Sequence, residues 1–215
     1  MNIKGNRKIF LALYCIMFFA VWTIFELYFK DSVEEISSYL SLGVKFMVWT
    51  LPVILIVKYK FKENVLSYLK MKGNIKAVLK AGFIFGLVVA GYNMFNIIFL
   101  QKDINPSFDM ETMINVVLLI GFTEEVVFRG FILMELQKMT KFWAASLISS
   151  LLFLLIHFPK WYKDGSLLGA YSIGSFAFVI CFGLFQGYIL KSTKSIWPCM
   201  ITHSVNNFMT TFFII

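Results

Sequence analysis

Apolar stretches of roughly 18–22 residues recur along this chain, the length at which a helix crosses about 30 Å of hydrocarbon. They run Ile9–Phe29, Leu40–Val57, Val78–Leu100, Thr112–Leu136, Phe142–Phe158, Ala170–Leu190 and Ile196–Phe213. The expected architecture is therefore all-α: a single integral-membrane domain over residues 1–215, with about seven transmembrane helices. The second stretch is interrupted by Lys45 and Pro52, and the fourth is long. Composition agrees. The chain is 59% hydrophobic and 15% charged, with a mean hydropathy of +0.77, whereas a soluble domain carries about 25% charged residues.

The distribution of charge orients the spans. With the N-terminus inside, the cytoplasmic segments carry Lys4, Arg7 and Lys8, the lysines from Lys58 to Lys80, then Lys138, Lys141, Lys191 and Lys194. The opposite segments carry Lys30, Lys102, Lys160 and Lys163 among Asp31, Glu34, Glu35, Asp103, Asp109, Glu111 and Asp164. This asymmetry predicts an N-in, C-out topology and accounts for most of the +8 net charge. It also argues against a nucleic-acid partner, since no basic stretch adjoins a soluble module. The N-terminal apolar region is too long for a signal peptide and lacks a small-x-small cleavage site, so it reads as the first span. Cys15, Cys181 and Cys199 fall in spans at no metal or disulfide spacing and read as buried thiols. The basic segment 58–80 reads as an amphipathic linker lying on anionic headgroups. A compact, lysine-rich chain of this kind points to a bacterial cytoplasmic membrane.

Within the fourth stretch lies GFTEEVVFRGF, residues 121–131, with three ionisable groups in apolar surroundings. An ionised acid at the centre of a spanning helix costs on the order of 3 kcal/mol, so such groups tend to be paired, cavity-facing and functional. Glu125 and Arg129 are four apart with the acid first, the favourable order for a pair on one face. Glu124 lies about 100° away and has no cation four residues on, so it is expected to be unpaired. Both histidines also fall in or beside spans: His157 in SLLFLLIHFPK and His203 in WPCMITHSVNNF. Asn207 shares the face of His203. A structural ion pair and hydrogen-bonding histidines would account for each feature separately. Together, an acid, two imidazoles and an amide on three spans can supply a general base, a water-positioning group and oxyanion donors.

Glu124-Glu125-x-x-x-Arg129, Phe153-x-x-x-His157 and His203-x-x-x-Asn207, in that order, resemble the three motifs of the CAAX protease and bacteriocin-processing (CPBP, or Abi) family of intramembrane endopeptidases. The resemblance covers roughly residues 112–213. It implies a membrane-helix bundle around a polar cavity and peptide-bond hydrolysis. Position by position, it implies that Glu124 activates water, that His157 shares the water, and that His203 and Asn207 stabilise the oxyanion. Glu125 and Arg129 would then orient the site.

Catalytic zinc usually has three protein ligands, which Glu124, His157 and His203 would supply, yet the same groups support a metal-free mechanism. Zinc is thus compatible with the sequence and not required by it. The expected partners are a membrane-associated peptide or protein substrate (CaaX-like, leader or signalling peptide) and the lipid bilayer. The competing classes are a non-enzymatic immunity or sensor-regulating protein that keeps the motif for structure, and a small transporter. The halves show no inverted repeat of the transporter kind. One depth check fails to close. At 1.5 Å per residue, Glu124 lies roughly 18–20 Å and His157 about 22 Å from the cytoplasmic ends of their helices. His203 lies only about 10 Å from the start of its own, so either the last helix starts recessed, near Trp197-Pro198, or the helix boundaries read from the sequence are misplaced.

Overall fold

Helices account for nearly all of the computed structural model, which describes residues 3–169 and 172–214. Helix α1 covers 3–36, its middle turn Phe25–Phe29 wound more widely as π-helix. Helix α2 covers 38–60 and continues through Pro52. After a short helical turn, Val65–Tyr68, comes α3 (Ile75–Phe99). Helix α4 covers 110–137, with π-helical stretches Met113–Leu119 and Val126–Leu133 on either side of Ile120–Glu125. Helix α5 covers 142–163 with a turn at His157, and α6 (Ser172–Thr193) and α7 (Trp197–Phe212) complete the bundle. Each expected span falls on one of these helices, to within a residue at its ends, apart from Ala170 and Tyr171, which lie outside the described residues.

Among the described residues, five helices are long and apolar enough to cross a membrane: Arg7–Ile36, Tyr39–Lys60, Ile75–Phe99, Phe142–Lys163 and Gly174–Thr193. The two that fall short carry the acid and amide motifs. In α4, Glu111, Glu124, Glu125, Arg129 and Glu135 crowd the apolar run, and α7 has only 16 residues.

Local chemistry starts the helices where the chain needs them. Asn74 accepts from the backbone N–H groups of Lys76 (3.0 Å) and Ala77 (3.3 Å), capping α3. Asp109 accepts from Thr112 N at 2.8 Å, capping α4, which satisfies N–H groups that a first turn leaves orphaned. Pro159 opens the part of α5 that follows the turn at His157, and Pro198 opens α7, both at positions where no N–H is required.

Close packing depends on small residues. A Cβ on Gly183 would come within 2.6 Å of Ser150 Oγ and 2.8 Å of Ser150 Cβ, and one on Gly187 would collide with Ser146 Oγ. Gly183-x-x-x-Gly187 on α6 thus lies directly against Ser146-x-x-x-Ser150 on α5. Helices packed in lipid gain most of their attraction from such near approach. Likewise Gly82 and Gly86 on α3 receive Ile201 and Val205 of α7, at 2.6 and 3.4 Å from ideal Cβ positions.

The segment between α2 and α3 departs from the expected surface linker. Tyr68 and Leu69 are buried, and the Tyr68 hydroxyl donates to Glu135, which also pairs with Lys138 (2.5 Å) and Arg7 (3.5 Å). Burial, reinforced by the Glu135 carboxylate, pushes the Tyr68 phenol far above its ordinary range, so it remains a donor. Ile196 N donates to Lys70 O at 3.1 Å, and Trp197 Nε1 to Met71 O at 2.8 Å. Leu69 and Ile196 then reach Gly130, at 3.0 and 3.1 Å from an ideal Cβ. The tucked linker therefore draws the start of α7 to the level of Gly130, inside the span of α4. Glu124 lies six residues from Gly130 and His203 seven from Ile196, roughly 9 and 10 Å at 1.5 Å per residue. The recessed start of α7 closes the depth mismatch.

The helix ends sort into two groups. Arg7, the 61–74 segment, Glu135 to Lys138 and Ile196–Trp197 meet at one end through the contacts above. At the other, Lys163 pairs with Asp31 at 2.5 Å, and Asp103–Ile104 forms a short antiparallel ladder with Phe213–Ile214. Gly187→Leu is expected to lower the melting temperature in detergent, overpacking typically costing about 1–3 kcal/mol. Gly43→Ala, with no atom within 4 Å of the added Cβ, should leave it unchanged.

Candidate active site

Glu124 and Glu125 occupy the middle of α4 between its two π-helical stretches, and both are buried. π turns inserted in α-helices occur frequently at functional sites. The expected pair forms: Arg129 Nη1 lies 3.2 Å from Glu125 Oε1. The same carboxylate oxygen lies 2.8 Å from His203 Nδ1. A carboxylate only accepts, so Nδ1 carries the proton and donates. His203 Nε2 then points towards Glu124, 3.6 Å from Oε2.

Glu124 is not unpaired. Lys45 Nζ of α2 donates to its Oε1 at 2.9 Å, and both side chains are largely buried. The lysine that interrupts the second apolar stretch is the missing counterion. Its ammonium also lies 4.6 Å from the Trp49 ring centre and 5.5 Å from that of Trp22, within range of cation–π attraction. A continuous chain of polar contacts therefore runs Lys45–Glu124–His203–Glu125–Arg129 across α2, α4 and α7. Two acids meet two cations with one imidazole between them, so no net charge is stranded when the imidazole is neutral.

Phe153 holds this arrangement from α5. Its ring lies 4.5 Å from Arg129 Cζ, 5.9 Å from the His203 ring centre and 5.1 Å from that of His157. His157 Nδ1 lies 2.9 Å from Phe153 O, the backbone carbonyl of the same motif. That bond fixes the Nδ1–H tautomer and leaves Nε2 as an acceptor. Asn207 donates from Nδ2 to Val116 O at 3.1 Å, which orients the amide and commits one of its two hydrogens. Neighbouring Asn206 accepts from Asn93 Nδ2 of α3 at 3.3 Å.

Glu124, His157, His203 and Asn207 all line one cavity of about 830 Å³, together with Lys45, Trp49 and Phe153. Glu125 and Arg129 stand behind them, outside the lining. The sequence motifs thus converge on one wall, four residues facing the cavity and two supporting them. Lys45 is the member the motifs omit. The signal that finds it is the one that singles out α4: a lone cation in an apolar span needs a partner.

Among the described residues, no three His, Cys, Asp or Glu side chains are placed to hold a metal. The Lys45 ammonium occupies Glu124 Oε1, while His157 and His203 each have Nδ1 bonded behind the ring and Nε2 left as an acceptor. No step below runs through a metal.

Residues 106–209 match the family model described as Rce1-like, type II CAAX prenyl endopeptidase Rce1-like. This segment, just under half of the chain, is similar to the CAAX endopeptidase family. The matched segment contains α4 to most of α7, and hence every motif residue, while Lys45 and Asn93 lie outside it. No curated protein and no solved structure matches the chain significantly. The match and the apolar helices together fit a multi-pass membrane protein similar to a protease family.

Removing Arg129 leaves a buried carboxylate and imidazole without their cation, the case in which a broken buried pair costs about 3–5 kcal/mol. Arg129→Ala is accordingly expected to melt lower in detergent than Glu124→Gln. Equal melting temperatures would show that Arg129 carries no such burden.

Proposed function

We propose that this protein is an intramembrane endopeptidase in which Glu124 activates a water molecule for attack on a peptide carbonyl. The observation that carries this reading is the common cavity wall: an acid, two imidazoles and an amide from three helices, at the centre of a membrane bundle. The substrate class is a membrane-associated peptide or protein.

The geometry suggests a role for each group. Lys45 holds Glu124 Oε1, which leaves Oε2 as the oxygen directed at the reacting water. His157, with Nδ1–H bound to Phe153 O, offers Nε2 as an acceptor for the second hydrogen of that water. As Glu124 takes a proton, the hydroxide adds to the carbonyl carbon and negative charge moves onto the carbonyl oxygen. The uncommitted N–H of Asn207 is available to that oxygen. His203 can add a second bond only when Nε2 carries a proton, and the developing oxyanion then supplies its countercharge. Protonated Glu124 then returns its proton to the leaving amine as the C–N bond breaks. Glu125 and Arg129 act indirectly by fixing the His203 ring.

Hydrolysis of a fluorogenic peptide by purified protein tests this. Glu124→Gln preserves shape and removes the proton acceptor, so the rate should fall by about 10²-fold or more, general base catalysis being worth roughly 10²–10⁴. Asn207→Ala should lower kcat by about 10²-fold with little change in KM, as for a donor acting in the transition state. Full activity in Glu124→Gln would exclude the assignment and favour a membrane partner that keeps the motif for structure.

A further inference from the structure

The cavity is not symmetric about the midplane. From Glu124 and His203 its lining runs to Glu34 and Ser41 at the α1–α2 turn, to Asp109 and Glu111 at the start of α4, to Lys160 on α5 and to Thr211 at the end of α7. All of these belong to one end of the bundle, the end that carries the Lys163–Asp31 pair and the short ladder. None belongs to the other end, where the tucked Tyr68–Leu69 linker, Ile196 and Gly130 close the bundle below the charges. The closed end is the basic one. Fourteen of the twenty Lys and Arg residues lie on its connections, four lie on those of the open end, and Lys45 and Arg129 are inside. Basic connections stay in the cytoplasm.

We infer that the active-site cavity opens to the extracytoplasmic side and is sealed from the cytoplasm. The inference rests on the endopeptidase reading for its meaning and on the cavity and charge distribution for its geometry. It narrows the substrate class to polypeptides whose scissile bond lies in an exported segment or in the outer half of the bilayer. A cytosolic C-terminal tail would face the sealed end. The open end is also where water can enter, since the wall between mouth and midplane carries hydroxyl, amide and carboxylate side chains. Between Glu124 and the cytoplasm, by contrast, stand Phe128, Phe131, Ile132 and Leu133, all fully buried.

Cysteine accessibility in intact cells decides the orientation. Glu34→Cys and Thr211→Cys should react with a membrane-impermeant maleimide before lysis, with the parent protein as the blank for native thiols. Lys62→Cys and Lys194→Cys, exposed on the basic end, should react only after lysis. The reverse pattern would overturn the inference. A bulky maleimide on Thr211→Cys should also abolish hydrolysis of the fluorogenic peptide by the purified protein, and undiminished hydrolysis at complete modification would overturn the mouth assignment. The labelling pattern is expected to persist in Glu124→Gln, so loss of the endopeptidase reading and loss of the orientation are separate outcomes.

Discussion

Two carboxylates in the middle of a membrane helix must find cations, and the rest of this structure is arranged around that requirement. Lys45 and Arg129 approach from opposite sides, and His203 bridges the two acids with both ring nitrogens. The five groups tie α2, α4 and α7 together at one depth. None of the three could slide along its axis without parting a buried pair, and in a low-dielectric surrounding a parted pair is far costlier than an exposed one.

The backbone geometry serves the same register. The linker before α3 tucks Leu69 beneath Gly130, and α7 begins on it, so a 16-residue helix delivers His203 to the level of Glu124. Gly82 and Gly86 let α3 settle against α7 from outside, while Gly183 and Gly187 let α6 settle against α5. Phe153 links that second pair of helices to the charges, with its ring on Arg129 and both histidines and its carbonyl on His157. The cavity wall that results draws on six helices, α1, α2, α4, α5, α6 and α7, although the motif residues sit on three.

Much of this was legible in the sequence because intramembrane charge is expensive. Positions 124, 125, 129, 157, 203 and 207 stood out as polar groups in apolar runs, and helical spacing paired Glu125 with Arg129. The partner of Glu124 was not legible, because spacing along one helix says nothing about a cation 79 residues away. Lys45 read as a flaw in a span when it is a counterion in the site. The buried linker was missed for a related reason. Its lysines give it the composition of a surface segment, and only Tyr68 and Leu69 turn inward. A recessed start of the last helix was one of two readings that depth left open, but the contacts that set it there, from Met71 and Lys70, are backbone acceptors with no sequence signature.

The pairing of Lys45 with Glu124 is the claim on which the arrangement stands, and a double-mutant cycle measures it. Contacting charges show coupling of about 0.5–3 kcal/mol, whereas independent sites add within roughly 0.5 kcal/mol. Thermal stability in detergent of Lys45→Met, Glu124→Gln and the double variant supplies the cycle. The account predicts that Lys45→Met is the least stable of the three and that adding Glu124→Gln restores stability, because the stranded carboxylate is gone. Strictly additive losses would show that the two residues do not pair, and would contradict the structure of the site.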